Sequence, residues 1–177
     1  IFSAITDSNL ISYSSLLSSE KFLTLPSSKT EELGLTNIDF IQADILDISE
    51  MRREFDIIES IGVLHHMKEP LRGWRALVNS LKPSGLMRLG LYSELARGHV
   101  RKARTMIANE KSSPDKEAMK RFRQKIILLN DPTLNKLQQT VDFYSTSAVR
   151  DLLFHIQEHR FNIPQIRTTL DELGLAF

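Results

Sequence analysis

The chain has 177 residues, 41% of them hydrophobic, which is enough for one domain with a buried core and too few for two. Because 23 Lys and Arg residues stand against 22 Asp and Glu residues, the net charge of +1 favours neither nucleic acid nor a membrane surface. The absence of cysteine excludes disulfides, thiolate metal sites and a cysteine nucleophile, and no apolar run is long enough to span a bilayer, so we expect a soluble, cytoplasmic protein.

Strand and helix signals begin after a serine-rich stretch at residues 1–30, which shows little periodicity. The phrase "KTEELGL" predicts the end of a helix at Gly34, and "NIDFIQADIL" predicts a strand because it is rich in β-branched and aromatic residues. A second strand is predicted in "EFDIIESIGVL", with its core at residues 55–58.

A helix and a third strand follow. One apolar face at helical spacing is formed by Leu71, Trp74, Leu77, Val78 and Leu81. This pattern predicts a helix that stops at Pro83 and Gly85, after which "LMRLGLYS" predicts a strand. Alternating strands and helices indicate an α/β fold, a Rossmann-like three-layer sandwich with a mostly parallel sheet and helices on both faces.

The remaining chain is predicted to be mainly helical. Residues 94–140 form a basic helical insertion, which holds a cluster of cations: Arg97, Arg101, Lys102, Arg104, Lys111, Lys116, Lys120, Arg121, Arg123 and Lys125. The C-terminal part, residues 141–177, predicts a helix that runs to about His155 and a short helix closed by Gly174. We therefore predict one domain over residues 1–177, with a Rossmann-like core at 29–93.

Three consecutive phrases, "QADILDI", "FDIIESIGVLHHMKEPLRGWRALVNSLKPSG" and "LMRLGLYSE", resemble the motifs that follow the glycine-rich turn in class I S-adenosylmethionine-dependent methyltransferases. The similarity is greatest to a type 11/12-like branch often fused to tetratricopeptide-like repeats, whose tail also resembles "DFYSTSAVRDLLFHIQEHRF". The resemblance implies methyl transfer from S-adenosylmethionine to an acceptor, and a fusion to a repeat domain in a longer protein.

The resemblance also implies site residues, because ligands of open parallel sheets lie at the carboxyl ends of the strands. Asp44 would accept from the adenine amine with the Ile45 backbone N–H beside the ring; the alternative is an Asp that caps the next turn. Glu59 and Gly62 would contact the methionine part of the cofactor, while Gly62 alternatively only makes a turn.

Further candidates are implied at the substrate edge: His65, Tyr92 and Glu94. Adjacent histidines at 65 and 66 point in different directions, and only Glu69 follows at metal-ligand spacing. The resemblance implies that a histidine here lines the pocket beside the reacting methyl rather than taking part in catalysis. No catalytic residue is assigned. Trp74 falls on the apolar face of its helix, which favours packing over stacking on a ligand.

A zinc-hydrolase pattern, H-x-x-E-H, occurs at His155, Glu158 and His159. A zinc site would need both imidazoles on one continuous helix and a third ligand. The sequence "HRFNIP" instead predicts that the helix ends there, with Pro164 opposing its continuation. We therefore expect no metal, and packing or a substrate-side contact for His155 and Glu158.

The glycine-rich turn of the family is missing, since no G-x-G occurs in the chain. Asp7, in "AITDSNLISYSSL", is loosely similar to the family's strand-acid-helix passage. We therefore expect an N-terminally incomplete domain that binds S-adenosylmethionine weakly or not at all. Residues 1–6 or 21–25 are expected to act as a substitute strand beside strand 55–59, since its edge would otherwise be unpaired.

Two functions from different classes remain open. The first is methyl transfer to an unidentified acceptor, as a fragment of a larger enzyme. The second is a non-catalytic binding module that contacts an acidic partner or RNA through residues 97–125. Because no aromatic stripe accompanies those cations, a solvated helix face is favoured over a nucleic-acid surface.

Overall fold

The computed structural model describes residues 2–6, 10–14, 30–110, 115–154 and 158–177. The chain divides into two compact units. The first unit comprises residues 1–91 with 163–177, and the second comprises residues 92–162. The predicted core and helical insertion thus separate between Leu91 and Tyr92, while the last helix joins the first unit. The assignment of the whole chain to one domain stays a prediction.

A five-stranded sheet forms the first unit, in the order β3-β1-β2-β4-β5. Its strands are β1 (Phe2–Thr6), β2 (Leu10–Ser14), β3 (Ile38–Gln42), β4 (Phe55–Ile61) and β5 (Leu81–Gly90). β1 is antiparallel to both of its neighbours, whereas β2, β4 and β5 pair in parallel. β3 therefore shares the direction of β2, β4 and β5, and the carboxyl ends of these four strands lie at one edge of the sheet.

The partner of β4 differs from the expected one. β2 pairs with β4 in parallel, with Leu10 opposite Ile57 and Ser14 opposite Ile61. β1 lies one strand further away, and residues 21–25 are outside the described residues. The edge of β4 is thus covered, but by residues 10–14 rather than 1–6. A strand, not the expected helix, follows the position of Asp7, which is itself outside the described residues.

The helix and strand after β4 meet earlier than their sequence predicts. Helix α1 (Pro70–Asn79) ends at Ser80, and β5 already begins at Leu81. Leu81 belongs to the strand and not to the helix, since it pairs with Phe55 of β4. The next pair along the two strands is Ile57 with Leu86, and between these two pairs β5 contains more residues than β4. The extra residues, "KPSG", form a bulge in which Ser84 adopts φ 64°.

The core of the first unit lies between the sheet and three helical segments. These are a 3₁₀ segment (Ile45–Met51), α1 and the last helix of the chain (Ile163–Leu173). Its fully buried side chains include Ile45, Phe55, Ile58, Trp74 and Leu77. On the opposite face of the sheet, Ile57, Ile61 and Leu86 are 38, 41 and 68% exposed, so a second helical layer does not cover these side chains in the described part of the chain.

The second unit is helical, as predicted. Its helices are α2 (Gly98–Asn109), α3 (Lys116–Leu129), α4 (Asn135–Gln138) and α5 (Thr146–Phe154), so the last helix of the chain is α6. They surround a core that includes Val100, Phe122, Ile126, Phe143 and Val149. Asp115 caps α3, since its carboxylate accepts from the Ala118 backbone N–H at 2.7 Å.

No helix in the described part of the chain is both long and apolar enough to cross a membrane.

Candidate functional site

A cavity of about 470 Å³ lies at the edge of the sheet where β3 and β4 end. Its lining residues come from the segment after β3 and from the loop and helix start after β4: Asp44, Leu46, Val63, His66, Met67, Lys68, Glu69 and Arg72. A volume of this size falls in the range that small ligands occupy in proteins. We call it the Asp44 cavity.

Asp44 stands at the entrance to the 3₁₀ segment and has extended backbone geometry. Its Oδ1 atom accepts a hydrogen bond from the Leu46 backbone N–H at 2.9 Å, which is the capping role considered from the sequence. Asp44 is nevertheless exposed and lines the cavity, so capping and ligand contact are compatible. The side chain of the neighbouring Ile45 is fully buried in the core, which fixes the backbone of this segment.

Gly62, directly after β4, adopts φ 76°, a conformation in the left-handed region. A side chain at this φ comes close to the following carbonyl oxygen, so the turn favours glycine at this position. The adjacent Val63 lines the Asp44 cavity. Gly62 thus turns the chain from the strand into the wall of the cavity.

Gly62→Ala should lower the free energy of unfolding by about 1 kcal/mol because alanine is strained at positive φ. Urea unfolding followed by circular dichroism measures this change. The control is Gly98→Ala, since Gly98 begins α2, does not have positive φ, and has open space where a Cβ would lie. Equal destabilisation of both variants would contradict a conformational role for Gly62.

The two adjacent histidines, His65 and His66, lie in different environments. His65 is only 1% exposed, whereas His66 lines the Asp44 cavity. Their rings lie edge to face with centroids 4.3 Å apart. The substrate-edge role of His65 stays a prediction, since the residue that lines this cavity is His66.

Glu59 lies within β4 rather than at its end, because the strand continues to Ile61. It is directly opposite Arg88 of β5, and its Oε2 atom is 2.8 Å from Arg88 Nη1. Glu59 is not among the residues that line the Asp44 cavity. Its cofactor role therefore stays a prediction without geometric support.

Two further cavities of the first unit suit a polar cofactor less well. A cavity of about 630 Å³, lined by Arg52, Arg53 and Lys82 among others, lies at the amino ends of β4 and β5, whereas open α/β sheets bind ligands at the carboxyl ends. A groove of about 840 Å³ runs along β5 and α6, and its only charged lining residue is Lys82. The Asp44 cavity is therefore the better candidate.

The other two substrate-edge candidates, Tyr92 and Glu94, belong to the second unit. The Arg97 guanidinium lies 3.7 Å from the centroid of the Tyr92 ring, a cation–π contact. Glu94 forms ion pairs with Arg101 at 2.5 Å and with Arg160 at 2.8 Å. The hydrogen bond from Arg160, together with the nearby positive charges, holds the pKa of Glu94 below its usual value.

Glu158, the acid of the H-x-x-E-H pattern, contacts three arginines. Its side chain is fully buried, and its carboxylate lies 2.6 Å from Arg97, 3.3 Å from Arg104 and 3.7 Å from Arg160. Burial raises the pKa of Glu158, but the hydrogen bond from Arg97 and the charges of the arginines outweigh it and lower the pKa. Among the described residues, which do not include His155, no group of His, Asp and Glu side chains is arranged to hold a metal.

We call these six charged groups the arginine cluster: Glu94, Arg97, Arg101, Arg104, Glu158 and Arg160. Sequence reasoning noted only the high density of cations. A more specific signal was present, since Arg97, Arg101 and Arg104 recur at helical spacing and therefore share one face of α2. Their acidic partners at 94 and 158 could not be identified without the fold.

Most cations of the basic insertion are paired. Arg97, Arg101, Lys102, Arg104, Lys120 and Lys125 form ion pairs with acidic side chains of the second unit. Arg123 donates to the Tyr144 carbonyl at 2.9 Å. Lys111 lies outside the described residues. Most of the described cations of this segment thus have an acidic partner within the unit, although some of them share one acid.

Comparison with known proteins gives the same fold. A family model described as "Methyltransferase domain" matches residues 6–89. The chain is 27% identical over 165 residues to an uncharacterized protein of Synechococcus sp., which covers 88% of this chain. It is also similar to the structure of PKMT2 from Rickettsia typhi in complex with AdoHcy, with a TM-score of 0.66, 21% identity and 86% of this chain covered.

Both proteins are much longer than this chain. It spans 39% of the Synechococcus protein and 32% of the PKMT2 chain. The structural similarity confirms the Rossmann-like α/β fold expected from the order of strands and helices.

Proposed function

We propose, from the match of residues 6–89 to a methyltransferase domain family, that this chain is part of a longer class I enzyme that methylates an acceptor with S-adenosylmethionine. The proportion of each matched protein that the chain spans supports the view that it is one part of a longer protein. A cytoplasmic location belongs to the proposal as well, and the lack of cysteine is consistent with a reducing compartment.

The observation that carries the proposal is the Asp44 cavity. It lies at the carboxyl ends of β3 and β4, where open α/β sheets bind their ligands. Its residues fit the adenosine part of the cofactor, because an exposed carboxylate at Asp44 can accept from an exocyclic amine. Leu46, Val63 and Met67 supply apolar surface for the adenine ring.

The residues of this site act by positioning. When bound, S-adenosylmethionine supplies a methyl group on a sulfonium, which is already a good leaving group. The chain therefore needs to hold the donor and acceptor in line and to exclude water, and orientation of this kind supplies a large part of a rate enhancement. Asp44 would orient the adenine, and the turn at Gly62 would bring the backbone close to the cofactor.

Asp44→Ser should weaken the binding of S-adenosylhomocysteine by about tenfold, because one hydrogen bond to a charged acceptor is lost. Serine keeps the capping hydrogen bond to Leu46 but is too short to reach into the cavity, so stability should change little. Calorimetry on the 177-residue chain measures the affinity. We expect the wild-type chain itself to bind only at high micromolar concentration, because no G-x-G turn is present.

The matched control is Asp47→Ser, which removes an exposed carboxylate from the first turn of the same 3₁₀ segment. It should leave the affinity unchanged. Low-micromolar binding by the wild-type chain would contradict the expected weakness, and equal affinities of the two variants would remove Asp44 from the site. If no binding is detected even at millimolar ligand, the cavity is not a cofactor site in this chain.

The alternative proposal is a non-catalytic module that binds an acidic partner or RNA through residues 97–125. The pairing of six cations of this segment with acidic side chains weakens it, since an extended polyanion such as RNA needs a row of uncompensated surface cations. An RNA affinity that falls steeply between low and high salt would favour this alternative. The methyl acceptor is not identified by either proposal.

A further inference from the structure

The arginine cluster carries more positive than negative charge. Four arginines are compensated by two glutamates, which leaves a net charge of +2. Each glutamate already serves at least two arginines: Glu94 pairs with Arg101 and Arg160, while Glu158 contacts Arg97, Arg104 and Arg160. No further acid of the described residues is within ion-pair distance of these arginines.

This excess charge is partly buried. The side chains of Arg97, Arg104 and Arg160 are 16, 17 and 24% exposed. Removing a cation from water is unfavourable unless an anion lies close to it. Solvent and salt would compensate a cluster at the surface. They compensate less well three half-buried guanidinium groups that share Glu158, even though Arg160 also pairs with Glu94. The cluster therefore has an electrostatic preference for an additional anion.

Hydrogen-bond donors are also available. A guanidinium carries five N–H donors and cannot accept. In Arg104, Nε donates to the Leu152 carbonyl at 3.2 Å. Its Nη2 atom is buried and lies 3.3 Å from Glu158 Oε2, and it makes no hydrogen bond within the described part of the chain. Arg160 uses Nε toward Glu94, and its Nη1 is 3.7 Å from Glu158, beyond hydrogen-bonding distance.

The positions of the donors are fixed before any ligand arrives. Arg97 is held between the Tyr92 ring and the Glu158 carboxylate, which it contacts through both Nε and Nη2. A guanidinium in a fixed orientation loses less conformational entropy on binding than a mobile surface lysine. Arg101, 59% exposed, and Arg160 give the cluster access to solvent.

The pKa directions of two groups agree with an excess of positive charge in the arginine cluster. Burial lowers the pKa of His99, and the charges of Arg97 and Lys136 lower it further. Burial also lowers the pKa of Arg104, with the charges of Arg97 and Arg160 acting in the same direction and that of Glu158 opposing them. These directions agree with the count of charges but add no separate site.

We propose that the arginine cluster is an oxyanion-binding site, at which the Arg97, Arg104 and Arg160 side chains hold a phosphate or carboxylate group of a ligand. The ligand's oxygens would take the donors that the two glutamates leave unused. The site lies within the second unit and does not depend on the methyltransferase proposal.

Titration of the 177-residue chain with inorganic phosphate, at constant ionic strength maintained by chloride, tests the proposal. Phosphate should bind with a Kd on the order of 1 mM and should shift the arginine Nε–H resonances in ¹⁵N spectra. Malonate titrated in the same way separates a carboxylate from a phosphate preference. Arg160→Gln should weaken binding about tenfold, whereas Arg150→Gln, an exposed arginine outside these ion pairs, should not.

Circular dichroism reports whether Arg160→Gln remains folded. If it does not, Arg101→Gln replaces it, because Arg101 is largely exposed, and a threefold to tenfold loss is then expected. The proposal is overturned if neither anion shifts the arginine resonances beyond the chloride control. It is equally overturned if the cluster variant and Arg150→Gln bind alike, since the cluster would then be a structural ion-pair network only.

Discussion

Glu158→Gln should lower the free energy of unfolding of the second unit by about 3 kcal/mol at pH 7. The variant leaves Arg97, Arg104 and Arg160 half-buried beside an uncharged amide, so three cations lose their shared counterion. We take the lower end of the usual effect of breaking a buried ion pair, because the arginines retain some contact with water. Urea unfolding followed at 222 nm measures the change.

The difference between the two proteins should depend on pH. The folded state holds the pKa of Glu158 below its usual value of 4.5. Its contribution to stability is therefore fully present above about pH 4.5 and is lost as the pH falls through the folded-state pKa. Wild type and Glu158→Gln should thus converge in stability in acid, and should differ by a constant amount between pH 6 and 8.

A matched control is Glu117→Gln, which removes an exposed carboxylate that pairs with Lys120 in the same helix. Exposed pairs of this kind contribute little, so its unfolding midpoint should stay close to that of the wild type. A Glu158→Gln variant as stable as Glu117→Gln would mean that the arginines rearrange into solvent. The arginine cluster would then contribute little to the stability of the second unit.

The central elements of the fold could be predicted because their signals are local. The strand at 55–61 and the helix at 70–79 follow from β-branched runs and apolar spacing, and both are observed. The end of α1 was not predictable in this way. Leu81 continues the apolar helical pattern, but it pairs with Phe55, a contact between residues 26 positions apart that no window of sequence contains. β2 was missed for a similar reason, since "LISYS" becomes a strand beside β4.

The candidate site was predictable to the level of the loops but not of individual side chains. Asp44 could be found because an acid after a strand is expected at the ligand edge of the sheet. The choice between His65 and His66 depends on the direction in which a short 3₁₀ turn points, and only the structure places His66 on the cavity. Glu158 was singled out by a zinc pattern, yet two of its three arginine partners, Arg97 and Arg104, lie more than 50 positions earlier in the chain.

Trp74→Ala should destabilise the first unit by about 4 kcal/mol, the largest effect we expect from a single change in its core. Trp74 is 1% exposed and packs with Ile45, Ile58 and Leu77. Removing the indole leaves a cavity that the surrounding strands and helix cannot close completely. Urea unfolding followed by circular dichroism measures the loss, since the variant has no tryptophan fluorescence.

Trp74→Phe separates packing from polarity. Phenylalanine keeps most of the buried apolar surface and removes the indole N–H, which is buried without a hydrogen-bond partner among the described residues. The cost of the smaller ring and the gain from removing an unsatisfied donor are each about 1–3 kcal/mol and oppose one another. The stability should therefore stay within about 1 kcal/mol of the wild type. If Trp74→Phe proved as unstable as Trp74→Ala, the indole N–H would have to make a hydrogen bond that this packing does not contain.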